Sequence, residues 1–203
     1  MKVLQSGDAE IRGSEYMPEI KEILYVTDRE TWRAWLQENH HVKDEIWLQY
    51  YRAGSGKGRI GYNAAVEEAL CFGWIDSIVK TVDEESFAQR FTPRKPNSTY
   101  SQTNKERLRR MVQQGKVIPA VVERVATILE EEFIFPDDIM DALAADNLAM
   151  KHFKEFSEPY QRIRIAFIKN ARKRPDVYKK RLAHFLKMTA EGKQFGVDLE
   201  EYY

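Results

Sequence analysis

Two strand-like segments, residues 76–82 and 87–92, flank the polar sequence DEES. A one-residue slip between paired strands would turn every side chain to the opposite face, so the apolar residues constrain the pairing. We therefore predict a β-hairpin in which Asp83 opposes Ser86. The register pairs Ile78 with Phe91, Val82 with Phe87, Ser77 with Thr92, Val79 with Arg90 and Asp76 with Pro93. Trp74 and Asp76 then share one end of the hairpin with Arg94.

The remaining chain predicts two more strands and a series of helices. The expected elements are a strand at 23–26, a helix capped by Thr27 with Glu30, a strand at 44–52, a helix capped by Asn63 and closed by Gly73, a helix from Ser98 or Ser101 to Gly115, a helix opened by Pro119, acidic helices in 136–156, a helix capped by Ser157, and a last helix from Pro175 to Gly192. Strands and helices do not alternate regularly. We therefore predict an α+β fold with a small, mainly antiparallel sheet and a C-terminal helical region.

The predicted organisation is a polar N-terminal segment (1–22), an α+β core (23–118) and a helical region (119–195) packed on that core as one domain. With 203 residues, of which 43% are hydrophobic, the chain can bury a sizeable core. Its apolar runs are shorter than the ~20 residues of a membrane-spanning helix, and residues 1–10 lack the apolar stretch of a secretory signal. Cys71 is the only cysteine, which excludes an internal disulfide. We predict a cytoplasmic protein without membrane insertion.

The charges are segregated along a chain of zero net charge. Residues 94–116 carry seven basic side chains and one acid, and residues 169–181 repeat that balance, whereas residues 130–146 carry seven acids and no base. Such blocks are typical of solvated helix faces that complement one another, or of an anion-binding surface.

No catalytic motif identifies a reaction. The sequence GSGKG (54–58) lacks the spacing of a phosphate-binding loop, and we interpret it as a flexible turn. Cys71 follows Leu70 near the negative end of a predicted helix, which is the wrong electrostatic setting for a reactive thiol. The four histidines show no metal-binding spacing, so we predict no metal and no cofactor.

A candidate ligand site lies where the hairpin meets the next helix. Arginine and lysine side chains there supply positive charge, hydroxyl and amide groups supply hydrogen bonds, the helix start supplies free N–H groups, and aromatic rings offer stacking surfaces. The candidate residues are Trp74, Asp76, Arg90, Thr92, Arg94, Lys95, Ser98, Tyr100, Ser101 and Asn104. We predict a small anionic or polar ligand. The same residues also suit a purely structural role, in which Asp76 pairs with Arg94 and the serines cap the helix.

Two other functions remain open from the sequence. The charged helices could dock a protein partner, with the acidic residues 137–141 as part of the contact surface. The basic stretches 94–116 and 169–181 could contact nucleic-acid phosphates, although no known nucleic-acid-binding motif accompanies them. The sequence predicts no oligomeric state.

Three stretches resemble one known family. They are ALCFGWIDS (69–77), RFTPRKPNSTYSQTN (90–104) and the closing pattern from Tyr160 through Ala171 and Arg181 to Gly192. These stretches resemble the YdeI/OmpD-associated proteins, also called bacteriocin-protection proteins, over most of the chain, and Tyr100 stands where related sequences usually carry Trp. The resemblance implies a link to bacteriocin or antimicrobial-peptide resistance. It implies no reaction, cofactor or catalytic residue.

Overall fold

A mixed sheet of four strands forms the centre of the first half of the protein. The computed structural model describes residues 18–196, and so the greater part of the predicted polar segment 1–22 lies outside the described residues. The strands are β1 (Ile23–Tyr25), β2 (Ile46–Tyr51), β3 (Trp74–Thr81) and β4 (Ser86–Pro93), in the spatial order β1-β2-β4-β3. β1 pairs with β2 in parallel, and the other two pairings are antiparallel. The predicted small, mainly antiparallel sheet is confirmed.

The hairpin of β3 and β4 has a different register from the predicted one. Val82 lies opposite Ser86, with its N–H donating to the Ser86 carbonyl, so three residues rather than two form the turn. Asp83 causes this, because its Oδ1 accepts from both the Glu85 N–H at 2.9 Å and the Ser86 hydroxyl at 2.8 Å. A second shift between Asp76 and Val79 moves the far end by one more residue.

Eight helices surround the sheet or follow it in the described part of the chain. They are α1 (Arg29–Asn39), α2 (Tyr62–Cys71), α3 (Gln102–Gln113), α4 (Pro119–Glu130), α5 (Asp137–Ala144), α6 (Asn147–Glu155), α7 (Glu158–Lys169) and α8 (Pro175–Ala190). With the sheet they confirm the α+β class.

Two of the predicted helix caps are wrong by one or two residues. Asp28 rather than Thr27 caps α1, because its carboxylate accepts from the Thr31 N–H at 2.8 Å. Asn63 lies inside α2, whose cap is Gly61, and its Oδ1 accepts from Arg107 instead. The Ser101 cap of α3 is confirmed, with its hydroxyl accepting from the Asn104 N–H at 3.3 Å.

The first core lies between the sheet and helices α1 to α4. Trp32 is fully buried, stacks on Trp35 with ring centroids 5.3 Å apart, and donates its indole N–H to the Ala65 carbonyl. Helix α4 falls within the predicted C-terminal region 119–195, but its Val121 and Val125 are buried in this first core. The chain therefore completes its first core only at α4.

Helix α2 is held in place by a buried network of charges. Glu67 and Glu68 have almost no exposed surface, although they lie in the middle of an otherwise apolar helix. Glu67 pairs with Arg29 at 2.7 Å and Arg110 at 2.6 Å, and Glu68 pairs with Arg33 at 2.6 Å. Because buried carboxylates must be paired, this network fixes the position of α2 against α1 and α3.

A second core lies among helices α5 to α8. Ile139, Phe153 and Phe185 are buried in it, and the last two rings meet edge to face at 6.1 Å. Glu106 of α3 and Arg162 of α7 join the two halves through a two-pronged ion pair, with N–O distances of 2.8 and 3.0 Å.

Candidate functional site

The hairpin end brings together residues that are distant in sequence, as predicted. Trp74 lies opposite Pro93, and the Arg94 N–H donates to the Gly73 carbonyl at 2.9 Å. Trp74 is 1% exposed, and its indole N–H donates to the His40 carbonyl. The Trp74 ring is therefore part of the core, and no face of it is open to a ligand.

Arg90 lies on the other face of the sheet from Asp76. It neighbours Trp47 across the strands, whereas Asp76 neighbours the core residue Phe91, and adjacent residues in a strand point to opposite faces. Its guanidinium binds the Glu45 carboxylate, with one N–O distance of 2.6 Å. The charge of Arg90 is thus satisfied away from the hairpin end.

Arg94 is a buried cation without a carboxylate partner in the described part of the chain. It is 9% exposed, donates to the Thr99 carbonyl at 2.7 Å and stacks on the Tyr100 ring, with its guanidinium carbon 3.8 Å from the ring centre. Burial lowers the pKa of Arg94, and the neighbouring Tyr100 and Asp76 offset part of that shift. The stacked ring covers one face of the guanidinium, and the Thr99 carbonyl occupies part of the N–H edge through which a guanidinium binds anions.

The hydroxyl and amide groups of the junction are mostly used in local structure. The Ser98 hydroxyl donates to the Lys95 carbonyl at 2.8 Å, and Ser101 caps α3. The Asn104 side chain accepts from Arg107 at 2.7 Å. Lys95 is exposed and Thr92 half-buried on β4. The hydrogen bonds of Ser98 and Ser101 shape the turn into α3.

Asp76 connects the predicted site to a cavity on the helix-facing side of the sheet. Its Oδ2 accepts from the Tyr62 hydroxyl at 3.0 Å and from the Gln89 amide at 2.7 Å. Tyr62 and Gln89 both line a cavity of about 380 Å³ between the sheet and the start of α2. This volume lies within the range of small-molecule sites, ~300–1,000 Å³.

The cavity wall is largely aromatic and apolar. Tyr50 and Phe87 lie face to face across β2 and β4, with ring centroids 5.3 Å apart and planes 7° from parallel. Ile60 closes the wall before α2, and Val79, which is 51% exposed, forms the rim on β3. Arg59 adds a positive charge to the lining.

The Tyr50 hydroxyl is the one unsatisfied polar group in this wall, as far as the described residues go. Tyr50 is 3% exposed, and its oxygen has no hydrogen-bond partner. Burial raises the pKa of this hydroxyl well above its ordinary value, and the negative charge of Asp76 raises it further, against a smaller opposing effect of Arg59. Tyr50 therefore stays neutral and keeps a proton to donate.

Sequence reasoning missed Tyr50, Tyr62 and Gln89. One signal was present, because Ile46, Leu48 and Tyr50 alternate on one face of β2 and only the tyrosine carries a polar group into the core. Tyr62 and Gln89 gave no comparable signal, since their meeting at Asp76 depends on a register that the sequence did not predict.

The cysteine and two of the basic side chains considered for function are buried or paired within the protein. Cys71 is fully buried, and burial together with the charge of Glu68 raises the pKa of its thiol to about 12. In the basic stretch 94–116, Arg109 pairs with Glu106, and Arg110 pairs with Glu67. Across the described residues, no group of three or more His, Cys, Asp or Glu side chains could hold a metal ion.

None of the helices between residues 18 and 196 is both long and apolar enough to cross a membrane.

Comparisons with known proteins divide the chain into two matched parts. Residues 24–124 match a domain of unknown function (DUF8412), and residues 132–192 match the family described as bacteriocin-protection, YdeI or OmpD-associated. The motifs at 69–77 and 90–104 lie in the first match, and the closing pattern from Tyr160 to Gly192 lies in the second. No curated protein and no solved structure matches the chain.

Proposed function

We propose that this protein, whose residues 132–192 match the family described as bacteriocin-protection, YdeI or OmpD-associated, binds a small polar ligand in the cavity beside Tyr50. The proposed site, which we call the Tyr50 cavity, is lined by Tyr50, Arg59, Ile60, Gly61, Tyr62, Val79, Phe87 and Gln89. Of the site residues predicted from the sequence, Asp76 is retained. It does not line the cavity, but its carboxylate accepts hydrogen bonds from the lining residues Tyr62 and Gln89.

The unpartnered Tyr50 hydroxyl is the observation that carries this proposal. A buried polar group without a partner costs about 1–3 kcal/mol, and native proteins rarely keep one without a reason. Other buried atoms without a partner among the described residues, such as Trp47 Nε1 and Thr189 Oγ1, do not line this cavity. The buried Tyr160 hydroxyl, by contrast, accepts from the Phe195 N–H at 3.3 Å. A ligand that hydrogen-bonds Tyr50 would supply the missing partner.

The lining favours binding over catalysis. Its polar groups are the two tyrosine hydroxyls, the Gln89 amide and the Arg59 guanidinium, which suit recognition by hydrogen bonds. Cys71, the candidate nucleophile, is enclosed in the first core. A role in bacteriocin resistance stays a prediction from the family resemblance, and the cavity supports ligand binding independently of it.

Two valine-to-tryptophan substitutions, one at the cavity and one outside it, test the proposal. Val79→Trp places a large ring on the cavity rim at a half-exposed strand position that tolerates aromatic residues. Val42→Trp makes the same change at a position that is 66% exposed and outside the cavity lining, so it serves as the matched control. We would screen a library of small polar compounds by saturation-transfer NMR against both variants and the wild type.

We expect compounds that bind the wild type and Val42→Trp but not Val79→Trp. The proposal is wrong if the wild type binds no compound, or if Val79→Trp binds the same compounds as the control.

A further inference from the structure

The Tyr50 cavity offers a ligand one hydrogen-bond donor and one acceptor on a wall that is largely aromatic and apolar. Resting on the function proposed above, we propose that its ligand is an uncharged compound with an apolar ring and a carbonyl beside an N–H group, in the class of the aromatic carboxamides. The carbonyl would accept from Tyr50, and the N–H would donate to Gln89. This class is narrower than the anionic or polar ligand expected from the sequence, and it excludes an anion.

Tyr50 and Gln89 point to the same side of the sheet. Phe87 lies opposite Tyr50, and Gln89 lies opposite Leu48. Residues paired across neighbouring strands share a face, as do residues two apart on one strand. Leu48 is fully buried in the first core, so this face packs against the helices. The side chains of Tyr50 and Gln89 therefore stand on the side of the sheet where the cavity lies.

The spacing of these two residues suits one carboxamide group. As diagonal neighbours on paired strands, Tyr50 and Gln89 have α-carbons about 7–8 Å apart. A carboxamide carries its oxygen and its nitrogen on one carbon, and with a hydrogen bond of ~2.8–3.0 Å at each it reaches partner atoms up to about 8 Å apart. A single small group can therefore contact both side chains.

Tyr50 supplies the donor. Its hydroxyl oxygen is buried without a hydrogen-bond partner among the described residues. Because burial raises the pKa of this hydroxyl, it keeps its proton. A neutral phenol donates to a carbonyl oxygen, which a carboxamide provides.

Gln89 supplies the acceptor. Its Nε2 donates to the Asp76 Oδ2 at 2.7 Å, which fixes the orientation of the amide. The Oε1 atom is then the group left to accept from a ligand. Because Gln89 is 6% exposed, water competes little for this atom. Asp76 is a positioning residue that acts through Gln89 and needs no contact with the ligand.

The charges around the cavity favour an uncharged ligand. Among the described residues, the lining includes no acid, so a cation would find no carboxylate there. Arg59 is the one charged residue of that lining, and it is exposed, so solvent screens its charge. At the Tyr50 hydroxyl the negative charge of Asp76 has a larger effect than Arg59, and it repels an anion. Burying a charge without an opposite charge costs far more than burying an uncharged amide that is hydrogen-bonded.

Four one-ring compounds test the proposed class by NMR chemical-shift titration at pH 7. Benzamide carries a carbonyl and an N–H, acetophenone carries only the carbonyl, benzoate is an anion, and benzylamine is a cation. We expect benzamide to bind the wild type about threefold to tenfold more tightly than acetophenone, because acetophenone lacks one hydrogen bond. Benzamide should bind about tenfold or more tightly than benzoate and benzylamine, because each of these must bury a charge.

Two variants assign the two hydrogen bonds. Gln89→Met keeps an unbranched side chain of similar length, so it should weaken benzamide about threefold to tenfold and leave acetophenone unchanged. Tyr50→Phe should weaken both compounds by a similar factor, because both carry the carbonyl. The unchanged acetophenone affinity of Gln89→Met reports that its cavity is intact, which a purely structural role of Gln89 would not allow.

Benzoate or benzylamine binding the wild type as tightly as benzamide would overturn the uncharged class. Equal affinities of benzamide and acetophenone would overturn the contact with Gln89, and this comparison needs no variant. If none of the four compounds binds the wild type, the class is wrong, and the library screen with Val79→Trp decides separately whether the cavity binds a ligand of another kind.

Discussion

Replacing Glu106 with glutamine should uncouple the two halves of the protein. Glu106 is 5% exposed and accepts hydrogen bonds from Gln102, Arg109 and Arg162 at 2.6 to 3.0 Å. Removing one partner of a buried ion pair costs about 3–5 kcal/mol. We expect roughly 2–4 kcal/mol here, because the Arg162 side chain is 19% exposed and keeps its contact with Glu158.

The positions of the tryptophans make this uncoupling measurable. All four, at positions 32, 35, 47 and 74, lie in the first half of the chain, so their fluorescence reports only on that half. Far-UV circular dichroism also reports on helices α5 to α8 in the second half. In urea unfolding, the two signals should change together in the wild type and separate in Glu106→Gln, with the dichroism changing first.

Glu158→Gln is the matched control. Glu158 also binds Arg162, at 2.9 Å, but its side chain is 82% exposed, so its loss should cost less than about 0.5 kcal/mol. The reasoning is refuted if Glu106→Gln loses no more stability than this control, or if its two unfolding signals still coincide.

The same residue should make the wild type sensitive to acid. Burial by itself raises the pKa of Glu106, but hydrogen bonds from Arg162 and Gln102 and the charges of Arg162 and Arg109 outweigh it and hold the pKa below the ordinary 4.5. Stability from a lowered pKa is fully present above the ordinary value and is lost as the pH falls through the lowered one. Stability in this acid range should therefore fall less steeply in Glu106→Gln than in the wild type.

Two further predictions concern the first core. Because burial raises the pKa of the Cys71 thiol to about 12, a thiol reagent such as DTNB should label it only when the protein unfolds, and rapid labelling of the native protein would contradict this. Gly73 and Gly115 both have positive φ angles, of 74° and 66°, but an added Cβ at Gly73 would lie 3.1 Å from Val121 whereas Gly115 has open space. Each change to alanine should lower the free energy of unfolding by about 1–2 kcal/mol through backbone strain. In urea unfolding, Gly73→Ala should lose about 1 kcal/mol more than Gly115→Ala, because its Cβ crowds Val121. Equal losses would show that Val121 moves aside without cost.

The fold could be predicted from local patterns, but the hairpin register could not. Alternating apolar residues identified β2, β3 and β4, and Gly73 and Gly115 ended their helices as expected. The register failed because Asp83 binds its own turn, and because the irregularity after Asp76 has no mark in the sequence. Such local side-chain contacts compete with the face pattern on which the prediction relied.

The sequence predicted that Trp74, Asp76 and Arg94 share one end of the hairpin, and the structure brings them together there, but Asp76 has other hydrogen-bond partners than the predicted one. Asp76 was recognised as an acceptor, yet its partners are Tyr62 and Gln89 rather than an arginine. Arg90 and Arg94 suggested a basic pocket because charge is visible in a sequence, whereas the groups that satisfy it, Glu45 and the Tyr100 ring, are apparent only in three dimensions. Whether the junction residues themselves bind a ligand stays a prediction.

The role of the Tyr50 hydroxyl can be tested by comparing the unfolding free energies of the wild type and Tyr50→Phe, each with and without a ligand selected in the library screen. Tyr50→Phe keeps the ring stacked on Phe87 and removes only the unpartnered oxygen. Without ligand, we expect the variant to be at least as stable as the wild type, because it no longer buries an unsatisfied group. With ligand, its affinity should be about threefold to tenfold weaker, so the ligand should stabilise it less. A variant that is less stable without ligand and gains as much stability from the ligand as the wild type would show that the Tyr50 hydroxyl serves the fold and does not serve a binding site.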